Sequence, residues 1–386
     1  MNPRFEANGW QAVVADQFTF SNLRMVAQAI CNFVRKQQSY IDNFPPRLVI
    51  GYDSRFMGEH FAMVAAEVVV NNGLDVFISD RAAPTPVISW MIADQVSTGA
   101  IMITGANESA EYNGVKFITS HMAIASEDTT QNIEREIEIL SETPGYLHYS
   151  VNPGEKIFAN PKPAYFDQVR RFVDVRLIAS VPMAITVDYL YGISSGYLHE
   201  IFRECGGVLT EIQNSPHSDF GSLVPVLNQE NLAELQQVVA HSQESLGVGL
   251  AIDGDGCHMQ AVDQGGMLIS HDQMFGLLLD YLVREKEWEG GIVKPNRQND
   301  FAEQVAALHG LTITYSATTD FRNITSEMVH ELAIMASDGL GGYAFQGHIM
   351  ERDGILASLL VLEMIAARKK NLNQLIADLS AELSAA

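Results

Sequence analysis

The 386-residue chain reads as an α/β protein made of three consecutive strand–helix units. Two observations carry that reading. Short β-branched runs alternate with amphipathic helical periods along the whole chain, the pattern of helices laid on largely parallel sheets. The length is more than one core serves, and it divides into units of roughly 110 to 150 residues, the ordinary size of a domain.

In the first unit, residues 1–152, Leu23, Val26, Ala27, Ile30 and Val34 share one helical face, with Ser21 placed to cap its start. Phe61, Ala62, Ala65, Val68 and Val69 form a second such face. Residues 47–51, 75–78 and 100–104 are apolar runs of strand length. A connector bearing Pro144, Pro153 and Pro161 leads into the second unit, 153–258, with strands at 183–187, 208–210 and 248–252. Its helices carry Leu198, Ile201 and Phe202, then Leu232, Leu235, Val238 and Val239. The third unit, 259–372, holds a helix through Met274, Leu277, Leu278, Tyr281 and Leu282 and a long apolar helix after Asp353; 373–386 is expected to be the end of a helix, with no fourth domain.

Charge excludes some functions. Asp and Glu number 47 against 24 Lys and Arg, a formal −23, so the basic face that nucleic acid needs is missing and anionic membranes are disfavoured. No apolar run approaches the ~18 residues of a membrane span and the N-terminus lacks a signal-peptide core, so a cytoplasmic location is expected. Cys31, Cys205 and Cys257 are too few and scattered for a disulfide framework.

The most informative stretch runs from Thr104 to Lys116 and reads T-G-A-N-E-S-A-E-Y-N-G-V-K. It resembles the phosphate-carrying loop of the α-D-phosphohexomutases, the phosphoglucomutase/phosphomannomutase family, T-A-S-H-N-P-x-E-Y-N-G-x-K. Ala106 stands at the Ser that carries the phosphate and Asn107 at the following His, while residues 111–116 are intact. Residues 9–20 are similar to the family opening G-W-R-A-V-I-A-D-x-F-T-F, with Gln11 for a phosphate-facing Arg; Gly51-Tyr52-Asp53-Ser54-Arg55 and Ala83-Pro84-Thr85-Pro86 also match. Asp253-Gly254-Asp255-Gly256-Cys257-His258 stands where the family has D-G-D-x-D-R. Alternating carboxylates in a glycine-bearing loop suit Mg²⁺; Cys257 removes the third, and His258 replaces a forked guanidinium. Residues 337–343 stand for the sugar-reading G-E-E-S-G-G with Asp338 as the surviving acid, and 320–324 resembles G-F-K-x-I with Arg322 for its Lys. The fourth-domain loop R-T-S-G-T-E-P has no counterpart.

The resemblance implies three phosphohexomutase-type α/β domains around a shared cleft, in a member that has lost the reaction. No catalytic residue is expected intact: Ala106 occupies the nucleophile position and Lys116 remains as a cation. Ser109 or Thr104 could replace the nucleophile only in a rearranged loop. The expected substrate-binding residues are Arg55, Lys116, Arg322 and Asp338, although Arg55 and Arg322 read equally well as paired surface charges. Asp253 and Asp255 are expected to be a weak or vestigial Mg²⁺ pair, with no other cofactor. Cys257 and His258 suit Zn²⁺ by donor type, but adjacent ligands rarely point at one ion, which favours a metal-free loop. Gly341-Gly342 reads as turn chemistry. The expected ligand is a phosphosugar or other small anion, and a protein partner is the second class. Three functions follow: a binding or regulatory pseudoenzyme, a phosphohexomutase or phosphosugar phosphatase with altered catalytic residues, or a structural partner of another protein.

Overall fold

Ten elements form the first sheet and its helices in a computed structural model that describes residues 2–38, 46–203, 206–242, 246–295 and 300–385. They are β1 (Trp10–Val13), α1 (Phe20–Gln38), β2 (Arg47–Tyr52), α2 (Gly58–Asn71), β3 (Asp75–Ser79), α3 (Thr85–Asp94), β4 (Gly99–Ile103), β5 (Tyr112–Thr119), α4 (Glu127–Ser141) and β6 (Lys156–Ala159). The strand order is β1-β5-β4-β2-β3-β6, with β4, β2, β3 and β6 parallel and β5 antiparallel to both neighbours. All five residues of β4 are buried, which is why this parallel strand reads as a continuous apolar run rather than an alternating one. The two expected helical faces, on α1 and α2, are buried against this sheet. The start of α1 differs from expectation: it begins at Phe20, and Thr19 rather than Ser21 caps it, its hydroxyl accepting the Asn22 N–H at 3.2 Å.

The sheet also runs past the division expected at residue 152. β6 pairs with β3 from Val76↔Lys156 to Ser79↔Ala159, because Gly154 brings the connector against the Leu74 backbone, where a Cβ would lie 2.0 Å from its carbonyl oxygen. The compact unit built on this sheet comprises Met1–Tyr165 together with His217–Val224.

The second compact unit, Phe166–Pro216 and Pro225–Ala386, contains two further sheets. After α5 (Lys162–Phe172), which leads in from the first unit, come α6 (Val175–Ser180), β7 (Ala184–Asp188), α7 (Tyr197–Arg203), β8 (Thr210–Ile212), α8 (Ala233–Ala240), β9 (Gly247–Ile252) and β10 (Met259–Val262), in the sheet order β10-β9-β7-β8. Then follow α9 (His271–Arg284), β11 (Ile292–Pro295), α10 (Phe301–Leu308), β12 (Ile313–Ser316), α11 (Phe321–His330), β13 (Met335–Ser337), β14 (Tyr343–Phe345), α12 (Gly354–Arg368) and α13 (Leu372–Ala385), with the order β12-β11-β13-β14. Every residue from Gly354 to Ala366 is buried. A predominantly apolar helix belongs inside, its buried Glu363 paired with Lys286, and α12 packs on α6, α7, β9 and β10 as well as on α9, joining the two sheets into one body.

Three sequence expectations shift here. β8 starts at Thr210, and Val208 is 83% exposed, since its apolar run is the lead-in to the strand and not the paired part. Val238 lies toward solvent on α8 while Leu235 and Val239 are buried. Met259, expected to open the third unit, pairs with Ile252 in the second sheet, because the tight 253–258 turn folds β10 back on β9. Cys205 lies outside the described residues; Cys31 and Cys257 are buried and form no disulfide. No helix among the described residues is long and apolar enough to cross a membrane.

Candidate functional site

β4 ends at Ile103 and β5 begins at Tyr112, and the loop between them holds the nucleophile position. Ala106 is 3% exposed and sits in the left-handed region at φ 47°. Arg55 shapes this loop. Its Nη1 donates to the carbonyls of Ser109 (2.7 Å) and Tyr112 (3.0 Å), and its Nη2 to those of Ala106 (2.8 Å) and Glu108 (2.6 Å). Phe220 lies 4.8 Å from the guanidinium, and Asp53 Oδ2 is 3.4 Å from Nε. The side chain is therefore a buried brace that replaces water at four carbonyls, neither a surface charge nor an open phosphate grip. A Cβ on Gly105 would stand 2.8 Å from that guanidinium carbon, so the backbone can reach the brace only as glycine.

Thr104, one candidate for a replacement nucleophile, is fully buried. Its hydroxyl donates to Asp53 Oδ2 at 2.6 Å and accepts the Ala106 N–H at 2.9 Å, which makes it part of the loop's frame. Ser109 lies beyond the tight turn, its carbonyl held by Arg55. Lys116 is on β5 opposite Met102 and is 1% exposed. Gln11 Nε2, Ser54 Oγ and Asn107 Oδ1 are buried with no hydrogen-bond partner among the described residues.

In the second unit, the loop after β9 closes on itself and on the turn after β13. Asp253 accepts the His258 N–H at Oδ1 (3.1 Å), and its Oδ2 lies 2.6 Å from His258 Nδ1. The other ring nitrogen, Nε2, is 2.9 Å from Asp338 Oδ2. Asp338 Oδ1 accepts the N–H groups of Leu340 (2.8 Å) and Gly342 (3.0 Å), and Arg352 Nη1 approaches Asp338 Oδ2 at 3.5 Å while its Nε donates to Glu351. Gly342 is required there, since a Cβ would come within 2.4 Å of Asp338 Oδ2. Asp253, His258 and Asp338 are all buried.

The electrostatics follow from that geometry. Burial alone would lower the His258 pKa, but the charges of Asp338 and Asp253 and the hydrogen bonds to both carry it up to about 9, so the ring is an imidazolium donating from both nitrogens at neutral pH. Burial would raise the Asp338 carboxyl; His258 and Arg352 outweigh it and hold the group well below the usual carboxylate range. Arg352 approaches His258 Nε2 at 3.3 Å, a contact between two cations that Asp338 offsets.

The donor set does not fit Mg²⁺. That ion wants several hard oxygens in a near-octahedral shell. Both oxygens of Asp253 are engaged by His258, and Asp255 Oδ2 accepts the Cys257 thiol at 3.5 Å. Nor does it fit Zn²⁺, because a histidine ligates through a lone pair and both His258 nitrogens donate to carboxylates. Among the described residues no group of three or more His, Cys, Asp or Glu is arranged to hold a metal.

Two other expected binding residues, Asp338 and Arg322, are engaged within the protein. Asp338 anchors the network above and offers no free oxygen to a sugar. Arg322 forks onto Asp320, the cap of its own helix α11, with Nε 3.0 and 2.9 Å from the two carboxylate oxygens, and is a paired charge. The spacing of the sequence missed Arg352 and Glu351 as members of the His258 network. It also missed Lys294, which lies with His271, Asp272 and Asp300 around a cavity of about 290 Å³ beside the 337–340 turn. Lys294 pairs with Asp300 and lies 3.5 Å from Glu303; burial and the Asp300 contact raise Asp272 to about 6.

Comparison with known proteins matches residues 2–143 to the phosphoglucomutase/phosphomannomutase alpha/beta/alpha domain I, 163–266 to domain II and 270–383 to domain III. The chain is 26% identical over 338 residues to a phosphoglucomutase/phosphomannomutase of Thermococcus kodakarensis, covering 86% of this chain and 72% of that one. It is 25% identical over 354 residues to a phosphoglucosamine mutase of Carboxydothermus hydrogenoformans, covering 86% and 73%. A provisionally named phosphomannomutase from Thermus thermophilus shares the fold with a TM-score of 0.89 at 24% identity, over 100% of this chain and 84% of that one.

Proposed function

The chain belongs to the α-D-phosphohexomutase family, and from that premise we propose that it is a binding or regulatory member, one that takes a phosphosugar or related small anion without interconverting it. Ala106 carries this reading. At the position where the family's phosphate is held, the side chain is a buried methyl group, the loop around it is braced by Arg55, and the neighbouring Thr104 hydroxyl is spent on Asp53 and the Ala106 N–H. Phosphoryl transfer rests on a positioned nucleophile and on fixed charges that neutralise the moving group. Here Asp253 is neutralised by His258 inside the protein and is not left to organise a cation at a ligand.

The orphaned groups near the loop favour retention of binding. Gln11 Nε2 is a buried donor without a partner among the described residues, and Ser54 Oγ and Asn107 Oδ1 are two further buried atoms in the same unit with none among them. Buried polar atoms cost free energy unless paired, so a ligand or water that reaches them is stabilised. The test pairs two measurements on the protein. Thermal shift with glucose 1-phosphate, glucose 6-phosphate and glucosamine 6-phosphate should raise the unfolding midpoint for at least one, since a ligand of the native state alone is stabilising. A coupled mutase assay with Mg²⁺ and a bisphosphate activator should show no turnover; turnover by the unmodified protein would overturn the reading.

A further inference from the structure

The second unit holds a cavity of about 800 Å³ lined by residues 170–176 and Lys286. Its wall carries four cations, Arg170, Arg171, Arg176 and Lys286, against one carboxylate, Asp174, in a chain whose acids outnumber its bases 47 to 24. The two arginines at the end of α5 have an ordinary explanation by themselves, because cations favour a helix C-terminus. Arg176 and Lys286 do not share it. They come from α6 and from the segment after α9, so the continuous stretch 170–176 and a distant segment bring cations to one wall.

The frame is held and the outer cations are open. Lys286 donates to Glu363 at 2.6 Å and to the Phe172 carbonyl at 2.8 Å, and the Asp174 N–H donates to the same Glu363 oxygen at 2.8 Å. Asp174 Oδ1 accepts the N–H groups of Arg176 and Leu177 as the cap of α6. Arg170 pairs with Asp167 at 3.0 Å. Arg171 and Arg176 are exposed and have no side-chain ion pair among the described residues. Phe172, edge-on to Trp288 at 5.9 Å, supplies an apolar wall.

We propose that this cavity binds a phosphorylated small molecule, with Arg171 and Arg176 gripping its phosphate. A guanidinium presents a planar fork that matches phosphate oxygens, and the volume lies within the 300–1,000 Å³ common for small-ligand sites. Arg171 and Arg176 keep their charge for a ligand while Lys286 and Arg170 are paired with Glu363 and Asp167, and a dianion such as a phosphate group relieves that remaining charge.

Calorimetry of the full chain with inorganic pyrophosphate tests it, run on the parent, on Arg171→Ser/Arg176→Ser and on Gln11→Ala. The expected result is saturable binding that weakens at least ~10-fold in the double variant and is unchanged in Gln11→Ala, the size expected from losing charge-assisted hydrogen bonds. Both arginines are exposed, so the double variant should keep the parent's ligand-free unfolding midpoint, which confirms that it is folded. Absence of saturable heat, or binding lost in Gln11→Ala and kept in the double variant, overturns the proposal; the second outcome would place the anion at the Ala106 loop and leave the proposed function standing. Binding of a 20-nucleotide single strand with pyrophosphate bound no better than sulfate also overturns it.

Discussion

Replacing His258 with alanine removes the cation shared by two buried carboxylates. Asp253 would keep one N–H donor, at 3.1 Å, and Asp338 would keep the Leu340 and Gly342 N–H groups with Arg352 at 3.5 Å. Breaking a buried pair by deleting one partner costs roughly 3–5 kcal/mol, because the other charge stays buried. The pKa supplies a second route to the magnitude. A rise from 6.5 to about 9, at roughly 1.36 kcal/mol for each pH unit, corresponds to about 3 kcal/mol. The folded-state value is raised, so this stabilisation is fully present below the unfolded pKa near 6.5 and is lost as pH rises through about 9. Urea unfolding of parent and His258→Ala at pH 6 and pH 10, with hydrogen exchange of the 253–258 and 337–342 amides to locate the effect, measures it. The deficit should be about 3 kcal/mol at pH 6 and smaller at pH 10. A variant within about 1 kcal/mol of the parent at pH 6, or a deficit that grows with pH, would refute the buried imidazolium.

Other outcomes follow from the same geometry. Arg55→Lys should cost about 2–4 kcal/mol and speed exchange of the 105–112 amides, since a lysine cannot fork to four carbonyls; unchanged stability with loss of phosphosugar binding would restore Arg55 as a ligand group. Ala106→Ser should bring no mutase turnover in the coupled assay, because Gln11, Cys257 and His258 remain and losses in a cooperative site are not repaired singly. Calorimetry on the parent should find Mg²⁺ binding no tighter than roughly 100 μM, an affinity that would need about 5 kcal/mol. Asp188 is pushed up to about 7, by burial above all, and its Oδ2 has no hydrogen-bond partner among the described residues. A raised carboxyl destabilises the fold as pH climbs from about 4 through 7, so Asp188→Asn should match the parent near pH 4 and exceed it by about 2–4 kcal/mol at pH 8 in urea titrations; an advantage independent of pH would point to packing instead.

The chain's own residues determined the layers and most of the core. The faces on α1 and α2, the strands after residues 46, 74, 98 and 246 and the apolar helix α12 are periodic local signals, because each element repeats its burial every two or every 3.6 residues. The altered loops were legible for a similar reason: each motif is contiguous, so Ala106, Gln11, Cys257 and His258 show as substitutions in place. Pairing between distant segments has no such local trace. That β6 joins the first sheet, that Arg55 is consumed by carbonyls 51 to 57 residues away, and that His258 meets Asp338, 80 residues on, were decided only when the backbone brought those segments together. The same holds for the cations of the basic cavity, since Lys286 lies more than a hundred residues from the arginines beside it. A charged side chain in a sequence announces its charge, and only tertiary structure decides whether a protein group or a ligand neutralises it, because that depends on distance and burial.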